Sequence, residues 1–128
     1  MDHNKSKKSK QGTEMLENVR RICSSLLEVE EIIDGFGHTT FKVKGKSFIM
    51  MGENEDGAGL SFKSDRENQE ILLQQGRFIK TPYIGQHGWV STKTGEPIEW
   101  DELGELLKEA YLRAAPKRLV KQLLSESY

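Results

Sequence analysis

The chain has 128 residues, the size of one domain, with 35% hydrophobic residues, 30% charged residues and a formal net charge of -1. Its apolar runs, such as Phe48-Ile49-Met50-Met51, fall far short of the roughly 20 residues that a membrane-spanning helix requires, and the basic N-terminus lacks the apolar stretch of a secretory signal. A single cysteine, Cys23, excludes an intramolecular disulfide and a CxxC metal framework, and fits a reducing, cytoplasmic setting.

Charge is placed unevenly. Residues 1–12 hold Lys5, Lys7, Lys8 and Lys10 against Asp2, a surplus of +3 that leaves -4 for the remainder. This composition predicts a disordered basic tail over 1–12 and one folded domain over 13–128. The folded body lacks the overall basic balance of a general nucleic-acid binder. The first helix is expected from Thr13 to Glu28, with Met15, Val19, Ile22, Cys23, Leu26 and Leu27 on one face. Cys23 reads there as a small buried hydrophobe.

Strands follow. Over Thr39 to Lys44, Phe41 and Val43 point one way and Lys42 and Lys44 the other; Gly45 turns the chain into Ser47–Met51. A short strand over Ile32 to Gly35 is a weak signal. The stretch "ENEDGAG" reads as a polar loop, and Leu60 and Phe62 of "LSFK" resume inward alternation. Ser64-Asp65-Arg66-Glu67 has capping-box form, predicting a helix to about Gln75 with Ile71 and Leu72 inward and Gly76 just past its end.

"RFI" and "WVSTK" read as two further strands around "PYIGQHGWV", and Thr94 to Pro97 as a turn. Asp101 caps a helix whose stripe is Leu103, Leu106, Leu107, Ala110, Tyr111 and Ala114. Pro116 stops it and opens a last helix with Leu119, Val120, Leu123 and Leu124 on one side. Helices at both ends and strands between them indicate an α+β fold. It is two-layered, with a largely antiparallel sheet packed by helices in the order α-β(3)-α-β(2)-α and an extra C-terminal helix.

The sequence presents no role-complete catalytic set. His38 and His87 sit beside glycines, no HxxxH or Cys/His cluster offers a metal site, and neither a Walker A loop nor GxGxxG is present. No cofactor is implied, and a binding module is favoured over an enzyme.

The ordered succession "TTFKVKGKSF", "LSFK", "PYIGQHGWV" and "AYLRAAPKRL" resembles the MmcQ/YjbR-like family over residues 13–120. One departure is Ala110-Tyr111, where that family often has Ser-Tyr. The resemblance implies a compact α+β fold similar to type III secretion chaperones. It also implies DNA binding through a double-wing arrangement, with Lys42, Lys44, Lys46 and Lys63 touching phosphates. The alternative is a protein- or small-ligand-binding groove around residues 82–90, lined by Tyr83, His87, Trp89 and Tyr111. The partners expected are DNA or a protein, with no membrane. The chain is expected to be a monomer or a weak dimer, Leu123 and Leu124 being the surface for pairing.

Overall fold

A computed structural model of the chain describes residues 10–34, 37–55, 57–94 and 96–126. The tail expected over 1–12 therefore lies outside the described residues up to position 9. The first helix, α1, runs Lys10–Cys23, starting three residues before its expected cap. Gln11 Oε1 accepts the Ala58 N–H at 3.3 Å and fastens the added turn to the sheet. The helix also ends early. Ser24 and Ser25 hydroxyls donate to the carbonyls of Arg21 and Ile22 at 2.6 and 2.9 Å, offering the last turn partners that compete with further helix. Glu28, at φ 58, then turns the chain into the sheet.

The strands are β1 Val29–Ile33, β2 Thr39–Val43, β3 Lys46–Asn54, β4 Gly57–Phe62, β5 Phe78–Lys80 and β6 Val90–Thr92. They form one antiparallel sheet in the order β1-β2-β3-β4-β6-β5. The α+β class stands, with one more strand ahead of α2 than the order read from sequence. β1 begins three residues before the weak Ile32 signal; Gly35 lies outside the described residues. The "ENEDGAG" stretch is not a free loop either: Glu53 pairs with Ala58 and Asn54 with Gly57, so β3 and β4 run on into a tight hairpin.

A bulge sets the phase of the sheet. Phe41 pairs with Ile49 but Lys42 pairs with Ser47, which leaves Phe48 as the extra residue. Phe48 and Ile49 are consequently both buried completely, beside Phe41, Leu60 and Phe62, while Lys42, Ser47, Met50 and Ser61 keep the half-exposed opposite face. The β2–β3 turn is Lys44 at φ 49 and Gly45 at φ 81, the type I′ pair that matches strand twist.

Helix α2 is Arg66–Gln74, α3 is Trp100–Ala114 and α4 is Lys117–Glu126. The cap of α2 is Asp65 rather than Ser64: its carboxylate accepts the Asn68 N–H at 2.8 Å. Gly76, at φ 81, follows its end as expected. The cap of α3 is Glu99, two residues ahead of Asp101. α1 and α3 pack together across β3 and β4, and α2 packs on β5 and β6. The core takes in Val19, Leu107 and Leu119 at full burial. Cys23 belongs to it, its thiol pushed up to about 12 chiefly by burial. Leu123, expected at a dimer surface, is buried within the chain, and Leu124 remains exposed.

Gly88 joins the second half of the sheet to α2. It lies at φ 95, and a Cβ there would stand 2.6 Å from the Ser64 carbonyl oxygen and 3.0 Å from Asp65 Cα. Both obstacles are backbone. Gly88→Ala is expected to lower stability by more than about 1 kcal/mol, read as a shift of the urea midpoint; an unchanged midpoint would refute this close approach.

Candidate functional site

Antiparallel register assigns each strand terminus to one end of the sheet. The β2–β3 turn, the C-terminus of β4, the N-terminus of β6 and the C-terminus of β5 share an end. Lys42, Lys44, Lys46 and Lys63 therefore belong to the same end as the loop of residues 81–89. Lys80 and His87 join them. Arg66, in the first turn of α2, donates from Nε to the Gln86 carbonyl at 3.2 Å. The opposite end carries Asp34, the β3–β4 hairpin with Glu53 and Glu55, and the approach to α3 with Glu96, Glu99 and Glu102.

The four lysines are not equivalent. Lys42 faces outward beside Ser47. The Lys63 N–H donates to the Phe48 carbonyl at 3.0 Å, and alternation from buried Phe62 puts Lys63 on that outward face too. Lys46 is exposed at the start of β3. Among the described residues none of these three has a carboxylate within ion-pair distance, although Glu30 is the cross-strand neighbour of Lys42. Lys44 is different: its ammonium sits 2.7 Å from Glu28 Oε1, which also faces Arg118 at 3.6 Å. The hydrogen bond from Lys44 leads in holding the Glu28 carboxyl below its ordinary range. Asp65 is likewise held low, first by the Asn68 N–H and also by Arg113 at 3.2 Å. Glu28 and Asp65 are thus already engaged.

The loop is fastened from beneath by a residue that sequence reasoning missed. Gln69, buried in α2, donates from Nε2 to the carbonyls of Gly85 and Trp89 at 2.8 and 2.9 Å. It occupies the inward position assigned to Ile71, which is 53% exposed. Gln69 and Leu72 are three apart and share the inner face; a polar residue at that spacing was the available signal. A hydroxyl chain lies alongside: Ser61 and Ser91 Oγ are 2.7 Å apart, and Ser91 Oγ and Thr81 Oγ1 are 2.8 Å apart. These bonds stitch β4 and β6 to the start of the loop.

The four residues expected to line a groove do not meet on a surface. Tyr83 is 95% exposed and Trp89 is buried; His87 is exposed. Tyr111 is wholly buried, edge-on to Phe48 with ring centroids 5.6 Å apart, and its hydroxyl donates to the Leu27 carbonyl at 2.9 Å. Its role here is packing, and burial leads in raising its phenol above the ordinary value.

At the acidic end, Arg77 makes a two-pronged ion pair with Glu102, one arm at 2.8 Å, while its guanidinium lies 5.4 Å from the Phe78 ring centroid. The pair sits in the wall of a shallow pocket shared with Thr92, Lys93, Pro97 and Leu103. Among the described residues, no three His, Cys, Asp or Glu side chains gather in a way that could hold a metal ion, and no helix is long and apolar enough to cross a membrane.

The YjbR family model matches residues 24–113, a span from the end of α1 almost to the end of α3. Among solved structures, the chain is similar to the Deinococcus radiodurans protein DR2400, described as a DUF419 domain. The identity is 25%, the TM-score is 0.69, and the match covers 84% of this chain and 86% of that one. No curated protein matches.

Two predictions follow from this geometry. Tyr111→Phe is expected to cost about 1 kcal/mol, because the Leu27 carbonyl loses its donor from inside the fold; a denaturation midpoint equal to the wild type would contradict the hydrogen bond. The lowered carboxylates of Glu28, Asp65 and Glu102 set the sign of the acid response. Their ordinary values are 4.5, 3.8 and 4.5, so their contribution is complete above that range and is lost as pH falls through the lower folded values. Melting temperature should fall in that window, and Glu102→Gln should flatten the fall. A Glu102→Gln profile with the wild-type slope would remove Glu102 from the account.

Proposed function

Because this chain belongs to the YjbR family and its cationic hairpin and loop share one end of the sheet, we propose that it binds DNA there through the phosphates. The observation that carries this reading is the grouping of Lys42, Lys46 and Lys63, which have no ion-pair partner among the described residues. From β2 to β5 there are four strand spacings, roughly 19 Å across. That width lets Lys80 and Arg66 extend the same cationic border. Contacts of this kind position a protein on a nucleic acid without reading its bases.

The reading narrows the expectation of two lysine-bearing wings. The β2–β3 hairpin carries lysines, whereas the β3–β4 hairpin is acidic and lies at the far end. The interface proposed is one hairpin, Lys63 and the loop of residues 81–89. A groove for a protein or small ligand at residues 82–90 retains only Tyr83 and His87 as open groups, so it is the weaker reading.

Titration of the full-length protein with a labelled DNA duplex and with its separated strands, from about 50 to about 200 mM salt, tests the proposal. Each phosphate-bound lysine adds about 0.9 to the steepness of log K against log salt on duplex. Substituting Lys42, Lys46 and Lys63 together by Ala should reduce that slope by about 2–3 and weaken all sequences alike. Lys44→Ala should change it less, since Glu28 already neutralises that ammonium. Absence of binding to either form at low salt would overturn the proposal.

A further inference from the structure

Phosphate binding leaves one feature of the cationic end unused. Tyr83 is 95% exposed and sits at φ 68, at the centre of a three-residue turn closed by the Ile84 N–H on the Pro82 carbonyl, a strained conformation for any residue but glycine. The loop that carries it is firmly held. Gln69 bonds two of its carbonyls, the Ile84 N–H reaches the Pro82 carbonyl at 2.7 Å, and the Gly85 N–H reaches the Thr81 carbonyl at 2.8 Å. The stem of Lys80 lies against Gly85, where a Cβ would stand 2.5 Å from Lys80 Cγ. An open aromatic face is thus mounted on a fixed support.

Its surroundings select the occupant. From Arg77 to Lys93 the chain has no carboxylate; Lys80 precedes the loop, Arg66 bonds its Gln86 carbonyl, and the adjoining Asp65 carboxylate is already engaged by Asn68 and Arg113. A lone aromatic ring among cations suits a polyanion that also presents flat, unpaired rings. A single-stranded nucleic acid has both: its phosphates meet the cations and a base stacks on the ring. In a duplex the base faces are turned to one another, and an exposed tyrosine reaches only edges and backbone.

We infer that Tyr83 is a base-stacking platform and that this end of the sheet takes single-stranded nucleic acid. The inference rests on the phosphate-binding reading above and names its substrate class. Single-stranded DNA and RNA share the required chemistry.

Fluorescence anisotropy of labelled oligo-dT, oligo-rU and a short duplex, with wild-type protein, Tyr83→Asn and Tyr83→Phe, tests it. Single strands should bind more tightly than the duplex. Tyr83→Asn should weaken their binding by about fivefold or more, and Tyr83→Phe, which keeps the ring, should stay within about twofold of wild type. Tyr83→Asn should melt close to the wild-type temperature, since the side chain it replaces is 95% exposed; the loss is then not unfolding. Tighter binding of dT or of rU assigns the natural strand, and either supports the inference. Wild-type affinity in Tyr83→Asn, with the lysine substitutions still weakening binding, overturns stacking and leaves phosphate binding intact. Duplex binding without single-strand binding overturns the inference alone, and no binding of the single strands or of the duplex overturns both readings.

Discussion

The bulge at Phe48 fixes which side chains face which way. In an unbroken β3, alternation would send either Phe48 or Ile49 to the outer face. With Phe48 as the extra residue, both enter the core, and Ser47 stays outside beside Lys42. The Phe48 ring then meets Tyr111 edge-on, and Tyr111 reaches back to the Leu27 carbonyl where α1 hands over to β1. The Phe48 carbonyl holds the Lys63 N–H. One irregularity therefore ties α3 to the sheet, closes the corner after α1 and places Lys63 next to the lysine hairpin.

Charge on this molecule is partly sorted by position, which the total of -1 conceals: lysines outnumber carboxylates around the β2–β3 turn, where Glu28 and Asp65 are already paired, and acids outnumber Arg77 and Lys93 at the other end. Antiparallel strands bring every second connection to the same end. The β2–β3 turn and the β5–β6 loop consequently share an end, while the acidic β3–β4 hairpin goes to the other. β4 is six residues long, so the ends are separated by roughly 20 Å. This is about twice the Debye length of about 8–10 Å at physiological salt. The acidic end therefore does little to cancel the field that an anion meets at the cationic end. An overall count of charges argues against nucleic acid as a partner; the topology removes most of the force of that argument.

Much of the fold was legible because its signals are periodic. The alternation of Phe41 and Val43, of Leu60 and Phe62, and the α3 stripe each report one buried face. What was not legible has physical reasons. β1 reads Val-Glu-Glu-Ile-Ile and is an edge strand paired only to β2, so neither face needs to be apolar; Glu31 instead bonds Arg20 of α1 at 2.6 and 2.8 Å. The hairpin at Asn54 and Gly57 is glycine-rich and acidic, and its pairing comes from backbone bonds that no side-chain pattern records. Gln69 is buried because two loop carbonyls need a donor, a demand that arises only when the loop folds over α2. Of the candidate site, the lysines were legible as residues. Their shared end with residues 81–89 depends on strand order, and the β4–β6 neighbourhood skips over β5 in sequence. Tyr111 was misplaced for a similar reason: an amphipathic residue at the rim of a helical stripe faces a groove or a core depending on what crosses it, here Phe48.

Among the described residues, three other than glycine have a positive φ: Glu28, Lys44 and Tyr83. For two of them the fold supplies a reason. Glu28 and Lys44 lie at facing reversals of the chain, the corner before β1 and the turn after β2, and their side chains join at 2.7 Å. The same conformation that strains each backbone brings the two charges together, and Arg118 of α4 adds to the pair. Tyr83 shows no comparable return. Its side chain is almost fully in solvent, so the ring contributes little burial against the strain of its backbone, and the turn around it is held by backbone groups and Gln69 that do not involve the phenol. Strain unrewarded within a fold is the pattern found where a residue's partner lies outside the molecule. Of these three, the one without a side-chain partner among the described residues is the one that stands on the loop of residues 81–89.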